Sequence, residues 1–430
     1  MSVPSHAGFE EAGPHAALVV GARSIANAFF VLAILLSPVV FIEPAPYEGL
    51  VGLTGLALCF TPLKLHRSLA VLLGLIAVWA AGGALALPRA MGDSQAVVYY
   101  LVSIYLALTA LIFALFFSTD TMQRLSLLEK AYIAAAVIAS LVGTAGYFSP
   151  VQGMRDLLLE NSRVRATFKD PNVFGPFLVL PMLFVIQNII YRGIRLRYLL
   201  AGGAMLIGLL LCFSRGAWGH AGASALLMLG LMFWTNRSPA FRLRLVALSG
   251  LTVVLLAVLV AVALSFSAVS DMFAVRANLV NYYDAGETGR FGRQLEGFLA
   301  IFDLPNGLGP RQFRLIYGND PHNIYLAALY AYGWLGGIAY SALVVVTLVV
   351  GARALLVASP WQPRLIAIYA TFVGVMAEGF IIDTDHWRHY FLLMGAIWGL
   401  FIATQRHNTQ RLAAERYGAL AAAAGSNGSR

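Results

Sequence analysis

The sequence predicts an all-α fold, a polytopic transmembrane helix bundle, on three observations. Of 430 residues, 60% are hydrophobic and only 11% are charged, whereas soluble domains carry about 25% charged residues. Apolar runs of the length needed to cross about 30 Å of hydrocarbon recur along almost the whole chain, and a backbone in lipid must satisfy its own hydrogen bonds, so these runs are expected to be helices. The longest interval between runs is about fifty residues, from Ser270 to His322. That leaves no separate soluble domain.

Taken in order, the apolar pattern predicts twelve spans at 24–42, 48–62, 68–87, 97–118, 128–148, 172–191, 198–213, 217–235, 245–269, 323–350, 364–382 and 388–404. The organisation is then an N-terminal tail (1–23), a bundle of nine spans (24–269), a long loop (270–322), three further spans (323–404) and a C-terminal tail (405–430). The N-terminus opens on polar and acidic residues rather than the basic region of a cleaved signal peptide, so it is expected to be retained. Cys59 and Cys212 are the only cysteines and both lie inside apolar runs, which argues against a disulfide framework or a thiolate metal site.

The net charge of +9 has its simplest origin in topology, not in nucleic-acid binding. With both termini cytoplasmic, the inner loops carry "KLHR", "QRLSLLEK", "YRGIRLR", "NRSPAFRLR" and the tail "QRHNTQRLAAER". Lys and Arg divide 17 inside to 12 outside, while Asp and Glu divide 5 to 14, with Glu378 left within a span. This satisfies the positive-inside rule. The outer cations are informative because topology alone would have removed most of them. Arg89 and Arg388 stand alone, but Arg155, Arg163, Arg165, Lys169, Arg215, Arg276, Arg290, Arg293, Arg311 and Arg314 converge on three outer loops. If those loops meet, they form an anion site on that face. The alternative is that Asp156, Glu160, Asp284, Glu287 and Glu296 neutralise them.

Five stretches carry candidate chemistry. In "NSRVRATFKDPNVFGPFL", Asp170-Pro171 is a turn signal, and Pro171 or Asn172 opens a helix whose dipole favours an anion beside Arg163, Arg165 and Lys169. In an extended segment Arg163 and Arg165 face the same way. The bland alternative is a basic loop on anionic headgroups. "CFSRGAWGH" is a tight reversal in which Arg215 needs a partner or ligand, unless it simply snorkels, and His220 reads as a hydrogen-bonded packing residue. In "ETGRFGRQLEGFLAIF", Arg290 and Arg293 share a helical face, and Leu295, Phe298, Leu299 and Phe302 form an apolar stripe. This is an amphipathic helix lying on the membrane surface or capping the bundle. In "GNDPHNIYLAALYAYGWLGG", His322 and Asn323 stand at the amino end of a span, where a neutral imidazole can accept a proton. Asp383-Thr384-Asp385 with His386 admits a divalent-metal reading, but pairing with Arg388 or nearby loop cations is simpler.

The ordered set "RVRATFKDPNVFGPFLVLP", "SRGAW", an arginine-bearing outer loop and "HNIYLAALYAYGWLGG" resembles the O-antigen ligase and O-antigen polymerase superfamily, which includes exopolysaccharide polymerases. The likeness covers roughly Arg163 to Gly337. Ala166 stands where the family usually has Gly, and Asp170 where Asn is common.

The resemblance implies a glycosyltransferase of the bacterial inner membrane, its site facing the periplasm. It would move a glycan from an undecaprenyl-diphosphate carrier to an acceptor hydroxyl, on lipid A core for a ligase or on a growing glycan for a polymerase. The family's histidine falls on His322 and its turn arginine on Arg215. Its long-loop arginine falls on Arg290, with Arg276 and Arg293 competing. Arg163, Arg165, Lys169, Asn172, Arg293 and Asn323 are the expected substrate-binding residues, and no metal or other cofactor is expected. Membrane lipids are the remaining partner. The rival from another class is a transporter for polysaccharide or lipid-linked sugar, which needs charged or broken helices at mid-membrane.

Overall fold

The computed structural model describes residues 14–41, 44–276 and 289–427. Seventeen helices follow one another among them. They are α1 (Pro14–Leu36), α2 (Pro46–Cys59), α3 (Ser68–Ala86), α4 (Ser94–Phe117), α5 (Thr121–Tyr147), α6 (Gln152–Leu158), α7 (Pro171–Phe177), α8 (Val179–Arg192) and α9 (Leu196–Leu211). Then come α10 (Arg215–Thr235), α11 (Pro239–Leu264), α12 (Ser267–Arg276), α13 (Arg290–Ala300), α14 (Gln312–Tyr317), α15 (Ile324–Leu355), α16 (Gln362–Glu378) and α17 (Arg388–Asn427). The sheet content described is one short hairpin, β1 (Leu159–Glu160) with β2 (Arg163–Val164).

Among the described residues every predicted apolar run lies mostly on helix. Among the described residues eight helices are long and apolar enough to cross a membrane: α1, α3, α4, α5, α7 with α8, α10, α11 and α15. The runs at α2, α9, α16 and α17 are shorter or less apolar. Local signals account for the helix starts. Asp170 accepts from the Asn172 N–H at 2.7 Å, Ser214 caps α10 through Ala217, and the Asn323 Oδ1 accepts from Tyr325 and Leu326. Pro171 then sits at the first helical position, where its missing N–H costs nothing.

The core gathers around α16, α8, α4 and the first half of α17, whose Tyr390, Phe391, Ile397, Trp398 and Leu400 are fully enclosed. By contrast, only 6% of the apolar window of α11 is buried, so this helix lies at the rim.

One span departs from the simple reading. The run at 323–350 is a single helix by composition, but α15 breaks at Gly333 (φ 65°, ψ −173°). The segment Pro305–Leu308 has entered its hydrogen-bond ladder: the Leu308 N–H donates to the Tyr330 carbonyl at 2.8 Å, and the Trp334 N–H donates to the Pro305 carbonyl at 2.9 Å. Insertion into the ladder is a known cause of a kink. Gly333 holds a backbone conformation that is essentially glycine-only, and a Cβ there would lie 2.6 Å from the Pro305 carbonyl oxygen. Gly333→Ala is therefore expected to cost about 1–3 kcal/mol from the backbone alone. It should lower the melting temperature of the detergent-purified protein by several degrees; an unchanged melting curve would contradict the docked loop.

Candidate active site

The region singled out in the sequence is built on one end of the bundle. The extended chain is confined to the hairpin β1–β2 and a turn follows at Ala166; Val164, Ala166 and Phe168 are buried, and Arg163 and Arg165 are half-buried. The two arginines then diverge in use. The Arg163 Nε donates to the Cys212 carbonyl at 3.0 Å and its Nη2 to the Asn172 Oδ1 at 2.7 Å, tying this loop to α7 and to the α9–α10 turn. Arg165 donates through Nη2 to the Asp156 carbonyl at 3.1 Å, while its Nε is buried with no hydrogen-bond partner. Glu160 lies close by; burial, with Asp170 adding to it, holds its carboxyl above the usual carboxylate range against the pull of Arg165 and Arg163. Ala166, which stands where the resembling family has Gly, takes φ 51°, in the left-handed region that favours glycine.

The Arg215 turn and the His322 segment meet the same helix end. Arg215 opens α10, and a Cβ on the adjacent Gly216 would lie 2.8 Å from the Glu378 Oε1 at the end of α16. One residue further, the Gly379 carbonyl accepts from the Ile324 N–H at 2.9 Å, two residues after His322. Glu378, left unexplained inside a span, meets His220: its Oε2 is 3.0 Å from Nδ1, and the other ring nitrogen faces the Thr371 carbonyl at 3.1 Å. A carbonyl only accepts, so Nε2 donates to Thr371.

His322 itself sits in the left-handed region at φ 49°. Its carbonyl and that of Pro321 accept from the Gln294 amide of α13 at 3.1 and 3.0 Å. The imidazole Nδ1 is 3.2 Å from the Asp383 Oδ2. Asp383 is mostly buried; burial raises its carboxyl above the usual range, and the hydrogen bond from His322 pulls the other way. A carboxylate accepting from Nδ1–H fixes the tautomer that leaves Nε2 as a proton acceptor. The Asp-Thr-Asp stretch thus has partners other than the Arg388 suggested by sequence: Asp383 takes His322, Asp385 accepts from the Tyr99 hydroxyl at 2.7 Å, and Arg388 pairs with Glu48 at 2.5 Å. No family model matches the chain, and no curated protein matches it.

A cavity of about 370 Å³ lies on this end. Lys169, Arg311, Arg314 and Arg388 line it, together with Asp170, Asp320, Asp383 and Asp385 and the aromatic walls of Tyr47, Tyr99, Tyr132, Tyr330, Tyr332 and Trp387. Much of the carboxylate charge is already engaged: Asp170 caps α7, Asp383 holds His322 and Asp320 stands 4.0 Å from Arg314. Arg311 gives its Nε to Asp93 at 3.2 Å, one of five donors on the group. Of the expected substrate contacts, Lys169 lines the cavity, Asn323 serves as a helix cap, Asn172 receives Arg163, and Arg293 is half-buried in α13. The side chains of Arg276 and Arg290 lie outside the described residues.

The amphipathic helix is α13. Gly297 packs against Phe313 and Leu326, while Leu295, Phe298, Leu299 and Phe302 remain exposed. It caps the bundle with one face and leaves its apolar stripe open. Arg311 and Arg314 belong to the outer cations expected to converge on an anion site, whereas the pairing of Asp383 with His322 and the part of Arg388 in the cavity were not anticipated. Both Asp383 and Arg388 were visible as outer charges, but nothing in their spacing marked them.

Proposed function

We propose that the chain is a glycosyltransferase of the bacterial inner membrane that takes its glycan from a polyprenyl-diphosphate carrier, as an O-antigen ligase or as an O-antigen or exopolysaccharide polymerase. In this reading the chain crosses the membrane twelve times, both termini are cytoplasmic, and the end bearing the cavity faces the periplasm. The observation that carries it is the cavity: four cations from three separated segments line one aromatic-walled space, with the His322–Asp383 pair beside it. The left-handed Ala166 adds support at a position where the resembling family uses glycine.

The chemistry follows from those groups. The acceptor oxygen attacks the anomeric carbon as the bond from that carbon to the diphosphate oxygen breaks, and the carrier diphosphate leaves. Guanidinium and ammonium groups stabilise the charge growing on it. The hydroxyl proton passes to the His322 Nε2, and Asp383 holds the imidazolium that forms. A single displacement of this kind inverts the anomeric centre. Arg215 borders the same helix end and is assigned to the donor diphosphate, with Arg290 or Arg293 from α13.

The broken helix α15 is an observation that favours a transporter. Its freed backbone groups, however, are satisfied by Pro305 and Leu308, which gives the break a structural use. An assay with purified protein, an undecaprenyl-diphosphate-linked glycan and a lipid A core or glycan acceptor separates the two readings. Transfer with release of undecaprenyl diphosphate, persisting in a chelator, is expected. Passage of the lipid-linked sugar across proteoliposomes without any transfer would reverse the assignment.

A further inference from the structure

The opposite end of the bundle carries a second concentration of positive charge. Topology accounts for arginines in "YRGIRLR" and "NRSPAFRLR", but it does not account for the two turns standing side by side. The α8–α9 turn touches the start of α11: a Cβ on Gly193 would lie 3.5 Å from the Arg244 Nη2. Arg242 is committed locally, its Nε donating to the Phe233 and Asn236 carbonyls and its guanidinium 4.5 Å over the Phe233 ring. Arg192, Arg195, Arg197 and Arg244 are exposed, and among the described residues none of the four pairs with a carboxylate. Arg197 donates to the Tyr198 hydroxyl at 3.0 Å. The carboxylate beside this region, Glu129, is taken by Arg364 at 2.8 Å and Asn188 at 2.7 Å, and these three line a cavity of about 130 Å³ that Arg192 also borders.

What surrounds the four guanidiniums decides the ligand. Ile194, Leu196, Leu200, Leu243 and Val246 are all more than half exposed and alternate with the arginines along both segments. Cations and bare apolar side chains in one layer match the boundary between phospholipid headgroups and acyl chains. A free phosphate would use the charge but none of the apolar surface. We propose that this end of the bundle binds an anionic phospholipid, its phosphate held by Arg192, Arg195, Arg197 and Arg244 and its acyl chains lying along α9 and α11. The bound lipid holds the rim helix α11, which the protein itself hardly buries, against α8 and α9.

The full-length protein in mild detergent tests this by native mass spectrometry and thermal shift. Phosphatidylglycerol and cardiolipin are the probes, with phosphatidylethanolamine and inorganic phosphate as comparisons. Retained anionic lipid and a raised melting temperature are expected for the unaltered protein. Combined alanine substitution of Arg192, Arg195, Arg197 and Arg244 should weaken lipid retention by about tenfold or more, since each surface cation contributes to anionic-lipid attraction. If that variant does not fold, Arg195→Gln with Arg244→Gln is read in the same way. Equal retention of phosphatidylethanolamine would overturn the proposal, as would full stabilisation by phosphate alone. So would an equal loss on substituting Arg411 and Arg416 in the exposed part of α17.

Discussion

His322→Ala is expected to lower turnover in the purified transfer assay by about 10²- to 10⁴-fold, the usual contribution of a positioned general base. Nδ1 is 3.2 Å from a carboxylate, so the proton sits on that nitrogen and the other ring nitrogen is left to accept. The side chain keeps 40% of its exposure, so truncation opens no large core cavity. Its backbone is held independently by Gln294 and by the Ile324–Gly379 bond. The variant should therefore reach the membrane in normal amount, and loss of protein does not explain the loss of product. The donor's KM should change little, because the base acts on the acceptor. Unaltered turnover in a folded His322→Ala protein would remove the histidine from the mechanism and leave charge stabilisation to act alone.

Asp383→Asn is expected to lower turnover by at least about 10²-fold, by the logic that an amide no longer enforces the productive imidazole tautomer. Here stability and activity should move apart. Burial raises the Asp383 carboxyl above its ordinary value, so the folded state binds this proton more tightly than the unfolded one. Its contribution to stability is then fully present below the ordinary carboxylate range and is lost as the pH rises through the raised value. At neutral pH the ionised group is a cost to folding, and Asn, which carries no charge, should leave the melting temperature unchanged or slightly higher. Activity has the opposite sign. Only the ionised carboxylate stabilises imidazolium by its charge, so turnover should fall as the pH drops through the raised Asp383 value, at a higher pH than an ordinary carboxylate would give. A variant that loses activity and stability together would make Asp383 a packing residue instead.

The parts of this molecule that were legible in sequence are those governed by near neighbours. Asp170 before Pro171, Ser214 before Arg215 and Asn323 before Ile324 mark helix starts because a short polar side chain reaches an N–H two or three residues on. Half-buried Arg163 beside buried Val164 follows from the period of extended chain in β2, whereas the turn at Ala166 that ends it does not. The stripe of α13 follows from the period of a helix, although which of its faces met the bundle did not. Arg124 shows the limit. It reads as one more inner-loop charge, yet its side chain is 1% exposed and donates to the Phe116 carbonyl and the Thr119 hydroxyl.

Composition and apolar run length by themselves determined that this chain is an all-α bundle whose helices include eight, among the described residues, long and apolar enough to cross a membrane, because an apolar run that must satisfy its own backbone hydrogen bonds does so as a helix. Only the tertiary structure decided which charges meet. Asp383 and His322 are 61 positions apart, and Arg388 and Glu48 are 340 apart. It alone decided that α15 breaks at Gly333, since the atoms that break it come from Pro305 and Leu308. Electrostatic and hydrogen-bond energies depend on separation in space and on burial, and neither is a function of separation along the chain.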